Sequence, residues 1–280
     1  MEFLRTQQEV RECVGAWKIS GRRLALVPTM GALHEGHLAL VRRAKQEADA
    51  VIVSIFVNPL QFAPNEDFER YPRSLAADGA LLRTEEVGAL FCPSAHEMYP
   101  ENFQTQVTLD KLSDVLCGHS RPGHFRGVAT VVLKLFHIVQ PDVALFGWKD
   151  AQQFILLRRM VEDLNLPIKM IGVETVREED GLAMSSRNAN LSGDERREAP
   201  AIYAALQGAR ERIESGELTA ETLRRAIAEK IQSDTHARLD YVEIVSLDKL
   251  QPLEEIVPGN TLIAVAVQFP RARLIDNIRL

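Results

Sequence analysis

The chemistry open to this chain is set by two imidazoles that stand three residues apart, His34 and His37. They close the segment Pro28-Thr29-Met30-Gly31-Ala32-Leu33-His34-Glu35-Gly36-His37, which follows a short apolar run and opens a helical pattern. A helix that starts near Gly36 offers free backbone N–H groups and the positive end of its dipole, a natural phosphate site. Histidines spanning that start can put both rings on one side, where imidazole donors stabilise the charge that builds as pyrophosphate leaves. Gly31 and Gly36 let the backbone approach a nucleotide without a Cβ in the way. A lone histidine near a turn is more often a surface residue; the pattern HxGH after a buried strand favours function. A second polar segment, Met184-Ser185-Ser186-Arg187-Asn188, follows Asp180-Gly181. The guanidinium of Arg187 has the donor fork that matches phosphate oxygens. Alone, such a segment reads as a polar linker, and its weight comes from the histidine turn.

The elements that must position these residues alternate between strand and helix. Thr6-Gln7-Gln8-Glu9 is a capping box for a helix that ends near Gly21. Leu24–Val27 reads as a buried strand stopped by Pro28, and His37–Ala48 as a helix. Ala50–Val57 (AVIVSIFV) is apolar on both faces, as strands of helix-covered parallel sheets are. The pattern continues with helices over Ser74–Val87, Phe125–Val139 and Ala151–Leu164. Strands are expected over Ala89–Phe91, Val143–Phe146 and Ile168–Val173. This alternation predicts an α/β fold, a doubly wound (Rossmann-like) parallel sheet built from right-handed βαβ units. After about Val176 the character changes. Ser192 is expected to cap a long helix through Glu214, and a second helix spans Ala220–Ser233. Three strand-like stretches follow with no helix between them: Leu239–Leu247, Thr261–Phe269 and Ala272–Ile278. The expected organisation is a catalytic domain over residues 1–176 and a smaller α+β lid with a short antiparallel sheet over 177–280.

Composition excludes several classes. With 280 residues, 46% hydrophobic and 26% charged, the chain has ample apolar side chain for a core and is not disordered. Its net charge of −6 argues against nucleic acid as a partner. No apolar run approaches the roughly 18–20 residues of a membrane span. The first residues, Met1-Glu2-Phe3-Leu4-Arg5-Thr6, lack the apolar core of a secretory signal. Cys13, Cys92 and Cys117 have neither metal-site nor disulfide spacing. A cytoplasmic protein with no redox cofactor is expected.

The pairing of HxGH with a Ser-Ser-Arg segment resembles class I synthetases and related nucleotidylyltransferases, which attack the α-phosphate of ATP. More closely, the chain resembles the pantoate–β-alanine ligase (pantothenate synthetase) family. The matching strings are Pro28–His37 (PTMGALHEGH), Val57–Phe62 (VNPLQF), Arg121–Gly127 (RPGHFRG), Pro141–Gly147 (PDVALFG), Lys149-Asp150 with Gln152-Gln153, and Val176–Asn188 (VREEDGLAMSSRN). The resemblance covers essentially the whole chain. It implies an ATP-dependent condensation of pantoate with β-alanine through a pantoyl adenylate, with Mg²⁺, in a homodimer. It implies an ATP site formed by Met30, Gly31, Ala32, Leu33, His34, Glu35, Gly36 and His37, with Gly147, Trp148, Lys149 and Asp150. Val176, at the adenine, and Met184, Ser185, Ser186 and Arg187, over the triphosphate, complete that site. His37, His34, Lys149 and Arg187 would be catalytic, Gln61 and Gln153 would hold pantoate with Asn58 close by, and Asp78 is the candidate metal ligand.

Other readings stand beside these. Asn58-Pro59 is also plain turn chemistry. Gln152 and Gln153 both begin a helix, and only the motif separates them. His119, His124 and His137 read as structural, and Arg121 either meets phosphate or anchors a loop. The resemblance departs at Trp148, where the family usually carries a charged or polar residue; a large ring there either shields the adenylate or sits outside the site. A nucleotidylyltransferase acting on a phosphorylated substrate shares HxGH but needs further cations and has no use for the Gln61/Gln153 pair. A non-catalytic ATP-binding protein is a third reading, against which the intact His34, His37, Lys149 and Arg187 speak. An aminoacyl-tRNA synthetase would need a basic extension that is not visible.

Overall fold

The computed structural model describes residues 1–64, 66 and 68–280. The elements run β1 (Glu2–Leu4), α1 (Gln7–Ile19), β2 (Leu24–Thr29), α2 (Glu35–Glu47), β3 (Ala50–Ile55), α3 (Leu75–Thr84), β4 (Ala89–Phe91) and α4 (Ala95–Met98). They continue α5 (Cys117–Ser120), α6 (His124–Val139), β5 (Val143–Gly147), α7 (Ala151–Asp163) and β6 (Lys169–Val173). The C-terminal part holds α8 (Gly193–Glu198), α9 (Ala201–Glu214), α10 (Ala220–Asp234), β7 (Arg238–Ser246), β8 (Thr261–Gln268) and β9 (Arg273–Arg279).

Six parallel strands form one sheet in the order β1-β4-β3-β2-β5-β6. Alternate residues serve opposite faces, as strand geometry requires. Leu24, Leu26, Ile52, Ala144 and Phe146 pack with α1, α6 and α7, while Ala25, Val27, Val51, Val53 and Leu145 pack with α2 and α3. That double burial is why the strands read as continuous apolar runs. In the three-stranded antiparallel sheet β7-β8-β9 the central strand β8 is buried on both faces too. Ile263, Val265 and Val267 face α9 and α10, whereas Leu262 and Ala264 join the core of the first unit.

Three details differ from the sequence expectation. Strand β2 runs through Pro28 to Thr29. The Leu24 carbonyl accepts from the Asp142 N–H on the β5 side, and the alternation of a parallel strand points Pro28 the same way. Pairing with β5 ends at Leu26, so the missing proline N–H removes no ladder bond. The long helix expected from Ser192 is two helices, α8 and α9, which meet at Ala199-Pro200. Proline has no N–H to continue the first of them, and it begins the second well. Strand β1, at three residues too short to be read from its sequence, forms the sheet edge beside β4.

Candidate active site

The strand order reverses between β2 and β5: the chain moves outward through β3 and β4 on one side and through β6 on the other. In an open α/β sheet, ligands bind in the crevice at such a switch point, beyond the carboxyl ends of the strands. Those ends deliver Met30 after β2, Asn58 and Gln61 after β3, Gly147 at the end of β5 and Val176 after β6, and all of them line one hollow of about 220 Å³.

The turn after β2 is held from below. Gly31 has φ +86°, and a Cβ there would stand 3.0 Å from Ile55 Cγ2 and 3.1 Å from Asp78 Oδ2, so only glycine fits. Asp78, 2% exposed on α3, accepts the N–H groups of Ala32 and Leu33 at 2.9 Å each, and Ser74 Oγ lies 3.2 Å from Oδ1. These bonds end the β2 turn and aim the chain into α2.

His34 is the N-cap of α2, and its Nδ1 accepts the Gly36 N–H at 3.2 Å. The His34 N–H in turn donates to His37 Nδ1 at 3.3 Å, and the two ring centroids are 4.1 Å apart. Because both Nδ1 atoms accept, each neutral ring carries its proton on Nε2. Neither Nε2 has a partner among the described residues, and both rings line the hollow. Gly36 is required by this pairing, since a Cβ there would lie 2.9 Å from His34 Cε1. Burial lowers the His34 pKa to about 4 and the His37 pKa to about 3, with the nearby Lys149 charge adding to both and His34 adding to the second. At neutral pH the pair is therefore uncharged and donates two N–H groups from one helix start.

Opposite stand the polar amides. Asn58 is 1% exposed and committed: Nδ2 donates to Gln61 Oε1 (3.0 Å) and the Gly127 carbonyl (3.1 Å), while Oδ1 accepts from Tyr99 Oη (2.7 Å) and the Leu60 N–H (3.3 Å). It fixes Gln61, whose Nε2 otherwise meets, among the described residues, only the weak acceptor Met30 Sδ at 3.1 Å. The two glutamines that open α7 differ. Gln152 is buried, accepting from Cys117 N–H and donating to the Leu112 and Val115 carbonyls, and of the two only Gln153 lines this hollow.

A second hollow, of about 270 Å³, shares Arg121, His124, Lys149, Asp150, Gln153, Ser185 and Arg187 with the first. The two are one cleft between the parallel sheet and the C-terminal unit, within the size range of ligand sites. Ser185 caps the 3-10 turn Ser186–Asn190, which carries Arg187, and Ser186 Oγ lies 3.2 Å from Tyr71 Oη. The Arg187 guanidinium lies 5.8 Å from the Tyr71 ring centre. Val176 and Met184 bracket the ribbon leading to this turn, with Met184 N–H donating to the Val176 carbonyl at 3.0 Å.

Of the residues placed at the ATP site by resemblance, Met30, His34, Gly36, His37, Gly147, Lys149, Asp150, Val176, Met184, Ser185, Ser186 and Arg187 line the first hollow. Gly31, Ala32 and Leu33 lie behind it as the turn's backbone, and Glu35 points along α2 to an ion pair with Arg42. Trp148 is corrected: its ring packs edge-on to Phe154 (4.5 Å) under the Arg279 guanidinium (4.0 Å), outside both hollows. Asp78 is corrected as well. It lines neither hollow, and its two oxygens already serve the turn's N–H groups. Among the described residues no group of three or more His, Cys, Asp or Glu could hold a metal ion.

His124 and Tyr71 also line the cleft, and both ring nitrogens of His124 are committed to protein partners. His124 Nδ1 donates to the Gln61 carbonyl at 2.8 Å, and Nε2 accepts from Arg121 at 3.0 Å. Arg121 holds Glu66 through Nε (2.6 Å) and Nη2 (2.8 Å), so it anchors the loop while facing the cleft. Burial, with the Arg121 charge, lowers the His124 pKa to about 4. The RPGHF string is the only sequence signal for His124; Tyr71 carries none.

Comparisons with known proteins agree over the whole length. A pantothenate synthetase of Geobacillus sp. (strain WCH70) is 53% identical over 273 residues, 98% of this chain and 96% of the relative. The crystal structure of pantothenate synthetase from Thermus thermophilus superposes with a TM-score of 0.94 at 49% identity, covering 99% of each chain. The pantoate–β-alanine ligase of Francisella tularensis, complexed with β-γ ATP and β-alanine, superposes with a TM-score of 0.82 at 34% identity, covering 99% of this chain and 97% of that one. The sequence model of pantoate–β-alanine ligase matches residues 2–279, and the chain belongs to that family.

Proposed function

We propose that the chain condenses pantoate with β-alanine at the expense of ATP, releasing AMP and pyrophosphate through an enzyme-bound pantoyl adenylate. The observation that carries this reading is the placement of paired neutral histidines at a helix start, across one cleft from Gln61, Gln153 and Lys149. A pantoate carboxylate oxygen attacks the α-phosphorus while the bond to pyrophosphate breaks. His34 and His37 donate Nε2–H to the phosphates, and Lys149 and Arg187 bring positive charge where negative charge grows. Gln61 and Gln153 recognise the hydroxyls and carboxylate of the acid without a charge to repel it. The β-alanine amine then attacks the acyl carbon, the bond to AMP breaks, and the nitrogen loses a proton to complete the amide. The ribbon and turn over residues 177–190 cover the cleft and exclude water, which would hydrolyse an acyl adenylate.

The residues present do not fit a resident magnesium ion: Asp78 is spent on the turn, Glu66 is paired with Arg121, Glu174 with Arg279 and Asp276 with Arg177, and among the described residues that leaves Asp150 as a single cleft carboxylate. Magnesium in this reading enters as Mg·ATP, bound mainly by phosphates, as part of the substrate. The reading further includes a homodimer, in keeping with the family, and a cytoplasmic location, where ATP is available. Light scattering at twice the chain mass of 31.4 kDa supports the dimer; a monomer mass overturns it.

ATP–pyrophosphate exchange with pantoate present and β-alanine absent tests the reaction. Exchange that requires pantoate supports the adenylate. Exchange without pantoate, or with a phosphorylated acceptor in its place, points instead to nucleotidylyl transfer.

A further inference from the structure

Strand β9 is an edge of the C-terminal sheet, paired with β8 along its length, and it packs against the turn Trp148–Asp150. Asn277, 7% exposed, donates from Nδ2 to two successive carbonyls, those of Trp148 (2.8 Å) and Lys149 (3.0 Å). Asp276 beside it, 3% exposed, takes both Nη atoms of Arg177 at 2.6 and 2.9 Å, and its Oδ1 also accepts the Asn277 N–H at 2.8 Å. Arg177 donates onward to the Gly181 carbonyl at 3.1 Å and lies 3.5 Å from the Tyr203 ring centre. Two residues beyond Asn277, Arg279 stacks on Trp148, which closes the other side of the same turn.

The Lys149 turn needs an outside support. Trp148–Asp150 is a 3-10 turn without a side-chain cap, squeezed between β5 and α7. A primary amide is suited to the task, because one nitrogen brings two N–H donors to two carbonyls; aspartate brings none and serine one. The side chain of Lys149 opens into the cleft while its own carbonyl is gripped from behind by the C-terminal sheet.

The geometry points to Asn277 as a positioning residue for Lys149, an assignment that rests on the role of Lys149 proposed above. Asn277 borders the second hollow, but its Nδ2 donors are spent on the turn; through them it sets where the ammonium stands when pyrophosphate leaves, and small displacements of such a group cost rate. The test is a double-mutant cycle in pantoate-dependent ATP–pyrophosphate exchange, with Asn277→Asp, Lys149→Ala and the double variant, alongside thermal unfolding of each.

Asn277→Asp is expected to lower kcat at least about tenfold, with KM for pantoate changed less than about twofold. In the Lys149→Ala background the same change is expected to cost less than about twofold. Equal losses in both backgrounds show independent structural damage and overturn the inference, as does an Asn277→Asp enzyme of parental kcat. Should Asn277→Asp not fold, Asn277→Ser, with one donor left, is read in the same cycle against the same outcomes. If Lys149→Ala itself keeps parental activity, the role of Lys149 fails, and that result is distinct from a failure of the coupling.

Discussion

At the scale of single residues, the site depends on histidines that are buried but kept neutral. The pKa values of about 3 and 4 at His37 and His34 lie below the ordinary 6.5, so between roughly pH 4 and 6.5 the unfolded chain binds protons that the folded chain refuses. Stability from these groups is thus complete above pH 6.5 and is lost as pH falls toward 4, by up to about 1.4 kcal/mol per pH unit for a fully shifted group. His37→Ala is expected to flatten the rise of Tm between pH 4.5 and 6.5; an unchanged slope counts against the buried neutral ring. The same variant is expected to lose turnover by orders of magnitude with the fold intact, and near-parental turnover in a folded variant would end the catalytic assignment. Since kcat/KM reports the free enzyme, its pH profile is expected to show no inflection near 6.5 from this pair. The identity and spacing of these histidines were legible in the sequence. Their tautomers were not, because those depend on which N–H each Nδ1 meets once the helix cap has formed.

At the scale of elements, the β2–α2 turn is shaped by a carboxylate 46 residues away from Ala32 in sequence, Asp78 on α3. Asp78→Asn replaces one acceptor with a donor facing a buried N–H and is expected to cost about 1–3 kcal/mol of stability. ATP affinity is expected to fall with it, while the magnesium concentration for half-maximal rate stays at the parental value; a shift in that concentration alone would restore a metal role. Capping signals were readable here: Thr6 and Glu9 form the box their sequence announces, and Ser192 does the same with Glu195. The continuation of β2 through Pro28 was not readable, since it depends on which neighbour the proline faces. Gln152 and Gln153 are likewise indistinguishable by type, and only the rotation of α7 against Leu112, Val115 and Cys117 ties up the amide of one and sends the other to the hollow of the paired histidines.

At the scale of the molecule, the C-terminal unit is expected to close over the nucleotide as a lid about the segment Val176–Asp180. Solution scattering is expected to give a more compact particle with ATP plus pantoate than without, and superimposable profiles would remove the lid. Arg177→Ala, which detaches this segment from β9, is expected to raise KM for ATP more than KM for pantoate; equal changes in both would argue for general damage. The sequence by itself determined the alternating α/β order, the antiparallel module after it, and the HxGH and Ser-Ser-Arg segments, because these follow from local periodicity, capping and residue type. Tertiary structure alone decided which of those residues share a cleft. It turned Trp148 outward beneath Arg279, made Asp78 a strut, and brought Asn277 to the Lys149 turn across more than a hundred residues of chain. Such contacts are set by how two sheets pack, and no local pattern encodes the register of one sheet against another.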